Sequence, residues 1–196
     1  MTLPMSIKGA IFDLDGTVVE NAYDWPKIRQ ELGNAEVSIL HYLCGLEEPE
    51  RSRKWAILER HEAEQTARSV LREGMKELLA FFRGRGVRSA LVTNNSRKNT
   101  AYLLEKFGLS FDRVTTRESG LWKPSGAPFR DVLDAFGISG GECCVIGDTR
   151  FDILAAVDAG IGPIFLLGDD PDDFSGFPVE VFPEIEPLRR RLQELL

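Results

Sequence analysis

A chain of 196 residues, 43% hydrophobic and 28% charged, has the make-up of a globular protein with one core domain and room for a small insertion. Its net charge of -7 argues against nucleic acid as a partner, since general affinity for a polyanion needs a basic footprint. No apolar stretch is long enough to span a membrane and the N-terminal MTLPMSIKGA has no apolar signal core, so no membrane partner is expected and cytoplasm is the default compartment. The three cysteines, Cys44, Cys143 and Cys144, are too few and too oddly spaced for a disulfide framework. Cys143 and Cys144 precede VIGD in an apolar run, where a thiol packs as a small hydrophobic group.

In chain order, AIFDLDGTVVE (10–20) opens with a short apolar run, read as a buried strand. The run ends on Asp13 and Asp15, one residue apart, with Gly16 and Thr17 behind. Two carboxylates so close repel unless a cation or a shared proton lies between them. Next come YDWPKIRQELG, AEVSILHYLCGL and EPERSRKWAILERHEAEQTARSV, read as successive helices with no convincing strand. Most charges of the third form a solvated face. Trp25 and Trp55 are expected in the core between these helices. Arg29, His41, Arg51 and Arg53 are the polar residues here that could contact a ligand, with a solvated or structural role expected first, and Glu20, Asn21 and Tyr23, just past the first strand, could face a site at its end.

After residue 72 the pattern alternates. EGMKELLAFFRGRG carries Met75, Leu78, Leu79 and Phe82 at helical spacing, and VRSALVTNN is a strand ending in polar residues. SRKNTAYLLEKFGL reads as a helix capped by Ser96 and stopped near Gly108. FDRVTTRE reads as a strand, and APFRDVLDAFGI as a helix with Phe129, Val132, Leu133 and Phe136 on one face. ECCVIGDT (strand), RFDILAAVDAGI (helix), GPIFLLG (strand) and EIEPLRRRLQELL (helix) complete the series, with LGDDPDDFSGFP (167–178) as an acidic surface loop. Strands alternating with helices predict an α/β fold with a parallel sheet covered on both faces. The expected division is a core of residues 1–19 and 73–196 and a helical insertion of residues 20–72.

Four strand-like runs or the loops after them carry polar residues of special type: Asp13 and Asp15; Thr93, Asn94 and Asn95; Lys123; and Asp148 with Asp152. In a parallel sheet these meet at the carboxyl edge. Clustered carboxylates bind a hard divalent cation through oxygen. A hydroxyl, an ammonium and backbone N–H groups suit the far side of a phosphate. A carboxylate left free to attack phosphorus would give an aspartyl-phosphate.

The motifs DLDGTVV, LVTNN, KPSGAP and IGDTRFDI, in that order, resemble the haloacid dehalogenase superfamily in its phosphatase branch. The resemblance implies a Rossmann-like parallel-sheet core and a mobile helical cap inserted after the first strand. It implies Asp13 as nucleophile and Asp15 as general acid, then base. Mg²⁺ would be held by the Asp13 carboxylate, the Asp15 backbone carbonyl and Asp148. Asp152 would reach the metal through a water or orient Lys123. Thr93, the N–H of Asn94 and the turn at Gly16 would hold phosphate oxygens, and Lys123 would neutralise charge on the nucleophile and the transferring group. An acid two residues after the nucleophile marks phosphatases and phosphomutases and disfavours carbon–halogen cleavage. Phosphonate cleavage needs a cap lysine, and neither Lys27 nor Lys54 lies in a matching context. The implied partner is a small phosphorylated metabolite, with phosphoglycolate first. A sugar phosphomutase and a non-catalytic phosphate-binding module remain as alternatives, and the oligomeric state is open.

Overall fold

The structure, a computed structural model, describes residues 7–33, 38–169 and 174–196. The N-terminal residues 1–6, residues 35–37 of the second predicted helix and residues 170–173 of the acidic loop lie outside the described residues. The strands are β1 (Gly9–Phe12), β2 (Val19–Glu20), β3 (Val70–Leu71), β4 (Arg88–Val92), β5 (Arg113–Thr115), β6 (Cys143–Gly147), β7 (Ile164–Leu167) and β8 (Val179–Phe182). The helices are α1 (Trp25–Leu32), α2 (Ile39–Gly45), α3 (Glu50–Arg68), α4 (Met75–Gly84), α5 (Arg97–Phe107), α6 (Ala127–Phe136), α7 (Arg150–Asp158) and α8 (Ile185–Leu195). Two compact units result, Met1–Val19 with Leu71–Leu196, and Glu20–Val70. Among the described residues no helix is long and apolar enough to cross a membrane.

In the larger unit six strands form one sheet in the order β5-β4-β1-β6-β7-β8, and every pairing is parallel. Successive side chains of a strand point to opposite faces. Ala10 and Phe12, Leu91, Cys144 and Ile146, Phe165 and Leu167 accordingly join one core with Met75, Leu78, Leu79 and Phe82 of α4, Leu103 of α5 and Leu188 and Leu192 of α8. Their neighbours Ile11, Ala90, Val92, Cys143, Val145, Ile164 and Leu166 join a second core with Phe129, Val132, Leu133 and Phe136 of α6 and Ile153 of α7. Phe12 is fully buried and meets Phe82 and Phe111 edge-on, each at 5.8 Å. Such aromatic pairs add about 0.5–1.5 kcal/mol beyond the area they bury. Burial pushes the Cys143 thiol up to about 12 and raises that of Cys144 as well, which keeps both protonated as packing groups.

This topology creates the site. From β1 the chain moves to β4 and β5 through α4 and α5, on one face, then crosses to β6 and β7 through α6 and α7, on the other. Parallel crossovers keep one hand, so a reversal of direction must change the face. The reversal leaves a crevice at the carboxyl ends of β1 and β6, where ligands bind in open α/β sheets. Phe12 pairs with both Leu91 and Ile146, which brings the residues that follow all three strands to one level.

Local signals set the helix ends. The Ser96 side chain accepts from the Asn99 N–H at the start of α5, and Gly108 ends that helix in the left-handed region, with φ 63. Strand β8 was not predicted. It is a four-residue edge strand, only half-buried, and its Glu180 pairs with Arg191 of α8 at 2.7 Å, so its outer edge carries charge rather than an apolar signal.

The helical unit corrects two expectations. Trp25 is 44% exposed and stacks on Tyr23 at 4.6 Å: it shares the i, i+3, i+7 stripe of the buried Ile28 and Leu32 but is the first residue of α1, at the helix end. Trp55 is half-buried, and among the described residues of the unit the buried apolar ones are Ile28, Leu32, Ile39, Leu40, Leu43 and Leu58. No strand was expected over residues 20–72, yet β2 and β3 pair in a separate two-stranded sheet. Two residues per strand are too few to show a period-two pattern.

Candidate active site

Asp13 directly follows β1, and its N–H donates to Ile146 O at 3.0 Å, continuing the ladder past the strand end. Lys123 comes from the loop before α6, and its ammonium lies 2.7 Å from Asp13 Oδ1 and 2.7 Å from Asp152 Oδ1. The lysine is 3% exposed and Asp152 1% exposed, so these charges are held out of water. Asp152 is the third residue of α7 and closes a capping box with Thr149. Its Oδ2 accepts from the Thr149 N–H at 3.0 Å and the Thr149 hydroxyl at 2.8 Å. Both oxygens of Asp152 are thereby engaged. A Cβ at residue 147 would lie 2.5 Å from Asp152 Cγ, which explains the glycine that ends β6.

Asp148 stands beside them. Oxygens of Asp13, Asp148 and Asp152 all lie within 4.8 Å of one another. The Thr17 hydroxyl donates to Asp148 Oδ1 at 3.1 Å. Gly16 has φ +82, and a Cβ there would fall 2.0 Å from Asp148 Oδ2. Only glycine satisfies both the left-handed backbone and that approach.

The segment after β4 supplies the other wall. The Thr93 hydroxyl accepts from the Asn95 N–H at 3.0 Å. The Asn94 side chain reads the backbone of Lys123 as a pair, donating to its carbonyl at 2.9 Å and accepting from its N–H at 3.0 Å. Asn95, 4% exposed, donates from Nδ2 to Asp15 Oδ2 at 2.8 Å. Among the sequence-selected residues, Asp13, Lys123, Asp148 and Asp152 thus form one cluster. The Asp15 carboxylate turns instead to Asn95, and Asn94 engages Lys123 through its side chain. The sequence reading missed Asn95 as the partner of Asp15 and Asn94 as the clamp on Lys123. TNN marked the place, but a side-chain partner 80 or 29 positions away leaves no local signal.

Electrostatics agree with the geometry. Burial first, then the neighbouring Asp152 and Asp15 carboxylates, push Asp13 up to about 7 against the opposing pull of Lys123. Burial, together with Asp13 and Asp152, raises Asp148 well above the usual carboxylate range. Burial opposes the charge of Lys123, but its two carboxylate partners outweigh that and hold it above the ordinary lysine value. One ammonium does not balance three carboxylates, and the donors that crowd here are hard oxygens. A divalent cation fits that set. Asp13, Asp148 and Asp152 are the carboxylates that could hold it, and of these Asp152 already has both oxygens engaged by Lys123 and Thr149.

The family model for haloacid dehalogenase-like hydrolases matches residues 38–160, more than half of the chain and including Asn94, Lys123, Asp148 and Asp152. The chain belongs to this family. It is 28% identical over 179 residues to phosphoglycolate phosphatase 1 of Pseudomonas aeruginosa, covering 77% of this chain and 66% of that protein. The chain therefore spans just under two thirds of that relative's length. It is 31% identical over 182 residues to the phosphoglycolate phosphatase of Pectobacterium atrosepticum, covering 79% of this chain and 78% of the relative. In fold it resembles CbbY from Rhodobacter sphaeroides, solved in complex with phosphate, with a TM-score of 0.69, 21% identity and coverage of 93% and 96% of the two chains.

Proposed function

We propose that this protein is a Mg²⁺-dependent phosphomonoester hydrolase acting on a small phosphorylated metabolite through an aspartyl-phosphate on Asp13. The observation that carries the reading is the buried Asp13–Lys123–Asp152 array beside Asp148. Dry, paired charges of this kind are costly, on the order of several kcal/mol per ion, and are typical of sites that need them for chemistry. Family membership and two phosphoglycolate phosphatase relatives support the same reading and make 2-phosphoglycolate the first substrate to try.

Asp13 attacks phosphorus and the bond from phosphorus to the ester oxygen breaks. Asp15 gives its proton to the departing oxygen. Water then attacks the phosphoryl group on Asp13 while Asp15 takes a proton from it, which frees inorganic phosphate and restores the Asp13 carboxylate. Lys123 offsets charge on Asp13 and on the phosphoryl oxygens, and Asp152 keeps its ammonium in place. Asn94 fixes the backbone of Lys123, and Asn95 fixes Asp15. Thr93, the Asn94 N–H and the turn at Gly16 are the proposed contacts to phosphate. A bound Mg²⁺, held by Asp13, the Asp15 carbonyl and Asp148, would offset the repulsion between carboxylates and phosphate.

Release of free phosphate from p-nitrophenyl phosphate and from a panel of phosphate esters that includes 2-phosphoglycolate tests the proposal. Turnover that needs Mg²⁺ and stops with a chelator is expected. No phosphate release across the panel overturns it.

A further inference from the structure

Arg72 lies outside every motif of the sequence reading, directly after β3. Its guanidinium donates from Nη2 to Gly16 O at 2.6 Å and from Nε to Thr17 O at 3.0 Å. Its backbone N–H donates to Val18 O at 3.1 Å. Three consecutive carbonyls of the turn behind Asp15 thus end on one residue. The turn's own bonds, Gly16 N–H to Val19 O at 2.8 Å and Val19 N–H to Leu14 O at 2.9 Å, close the loop but leave those three carbonyls to Arg72. A guanidinium presents its donors in a rigid fork that serves two neighbouring oxygens at once, which a lysine ammonium on a flexible stem does not reproduce.

The same turn carries the supports of Asp148. Thr17 is fully buried, and its hydroxyl donates to Asp148 Oδ1. The α-carbon of Gly16 lies against Asp148 Oδ2 so closely that no Cβ fits between them. Each oxygen of Asp148 therefore rests on a residue whose carbonyl Arg72 holds.

We propose that Arg72 is a positioning residue for the cation site: by fixing the Gly16–Thr17 turn it sets the direction of the Asp148 carboxylate relative to Asp13. The proposal rests on the reading of this cluster as a Mg²⁺ site. Groups that orient a metal ligand typically govern about 10–100-fold in metal affinity or activity.

Calorimetric titration of the full chain with Mg²⁺ tests this in wild type, R72A, R72K, T17V and the R72K/T17V double variant. R72A is expected to weaken Mg²⁺ binding by about 10–100-fold, with R72K and T17V weakened less. The double variant should lose less than the product of the two single effects, because both changes act through one carboxylate. In the phosphatase assay R72K should raise the Mg²⁺ needed for half-maximal rate while KM for the ester stays unchanged. Wild-type Mg²⁺ affinity in R72A and R72K, or fully multiplicative losses in the double variant, overturns the role of Arg72. If R72A does not fold, wild-type affinity in R72K overturns it alone. A wild type that takes up no Mg²⁺ overturns the cation site itself, and the role of Arg72 with it. Wild-type binding with unchanged variants overturns only the latter.

Discussion

The carboxyl edge of the sheet and the helical unit Glu20–Val70 are both rich in charge, and they place it in opposite surroundings. At the sheet edge Lys123 sits between Asp13 and Asp152, each pair at 2.7 Å, with all three side chains at most 10% exposed. In the helical unit Arg51 pairs with Glu48 at 2.9 Å and Arg60 with Glu31, side chains that are 31% to 56% exposed. Exposed pairs gain little, because water and salt screen them and two long side chains must be ordered. Buried ones persist only where hydrogen bonds complete them, as the Thr149 N–H and hydroxyl and the Asp148 N–H do for Asp152 here. Charge kept dry at such cost points to chemistry; charge left wet points to solubility and helix surfaces.

Asp13→Asn should have the largest effect. It keeps the shape of the side chain and removes the nucleophile, so phosphate release should fall by on the order of 10⁴-fold or more, with unchanged circular dichroism. Turnover near the wild-type rate would break the assignment. Lys123→Ala should follow, lowering kcat by roughly 10²–10³-fold at saturating Mg²⁺ through loss of the charge facing the phosphoryl group. A fall smaller than tenfold would make the lysine a structural counter-ion only. Asn95→Ala removes an amide that bonds the Asp15 carboxylate and should slow kcat by up to about tenfold, the worth of one hydrogen bond. A rate equal to wild type would show that Asp15 finds its position without it.

The smallest effect belongs to the helical unit. A hydrogen bond with His61, then the charges of His61, Arg60 and Lys27, hold the Glu31 carboxyl below its usual range. A carboxyl depressed in the folded state adds stability above its unfolded value and loses it as pH falls through the folded one. Glu31→Gln should therefore leave kcat unchanged and lower Tm slightly at neutral pH, with the gap to wild type closing below about pH 4. Thermal melts across that range decide it, and a gap that widens on acidification would reverse the sign.

The parts of the fold that repeat over short distances were legible. The faces of α4 and α6 follow from apolar spacing, the start of α5 from Ser96, and the parallel sheet from alternation of strand and helix. The candidate site was legible in part for a related reason: Asp13 and Asp148 sit at strand ends, where an apolar run stops abruptly on carboxylates. Strand β8 was missed because an edge strand with a glutamate at its centre lacks that contrast. Trp25 was placed wrongly because residue type and helical spacing do not say whether the first position of a helix is covered.

The sequence by itself determined which residues could do chemistry and that they would share one sheet edge, since strand direction and connection hand are local and chiral rules. Only the tertiary structure decided which carboxylate meets which donor. Asp152 goes to Lys123, Asp148 to Thr17 and Asp15 to Asn95, and Arg72 goes to the turn that holds Asp148. Those choices depend on strand register and on buried donors that must each find an acceptor across 29 to 131 positions of chain, and no window of sequence contains both partners.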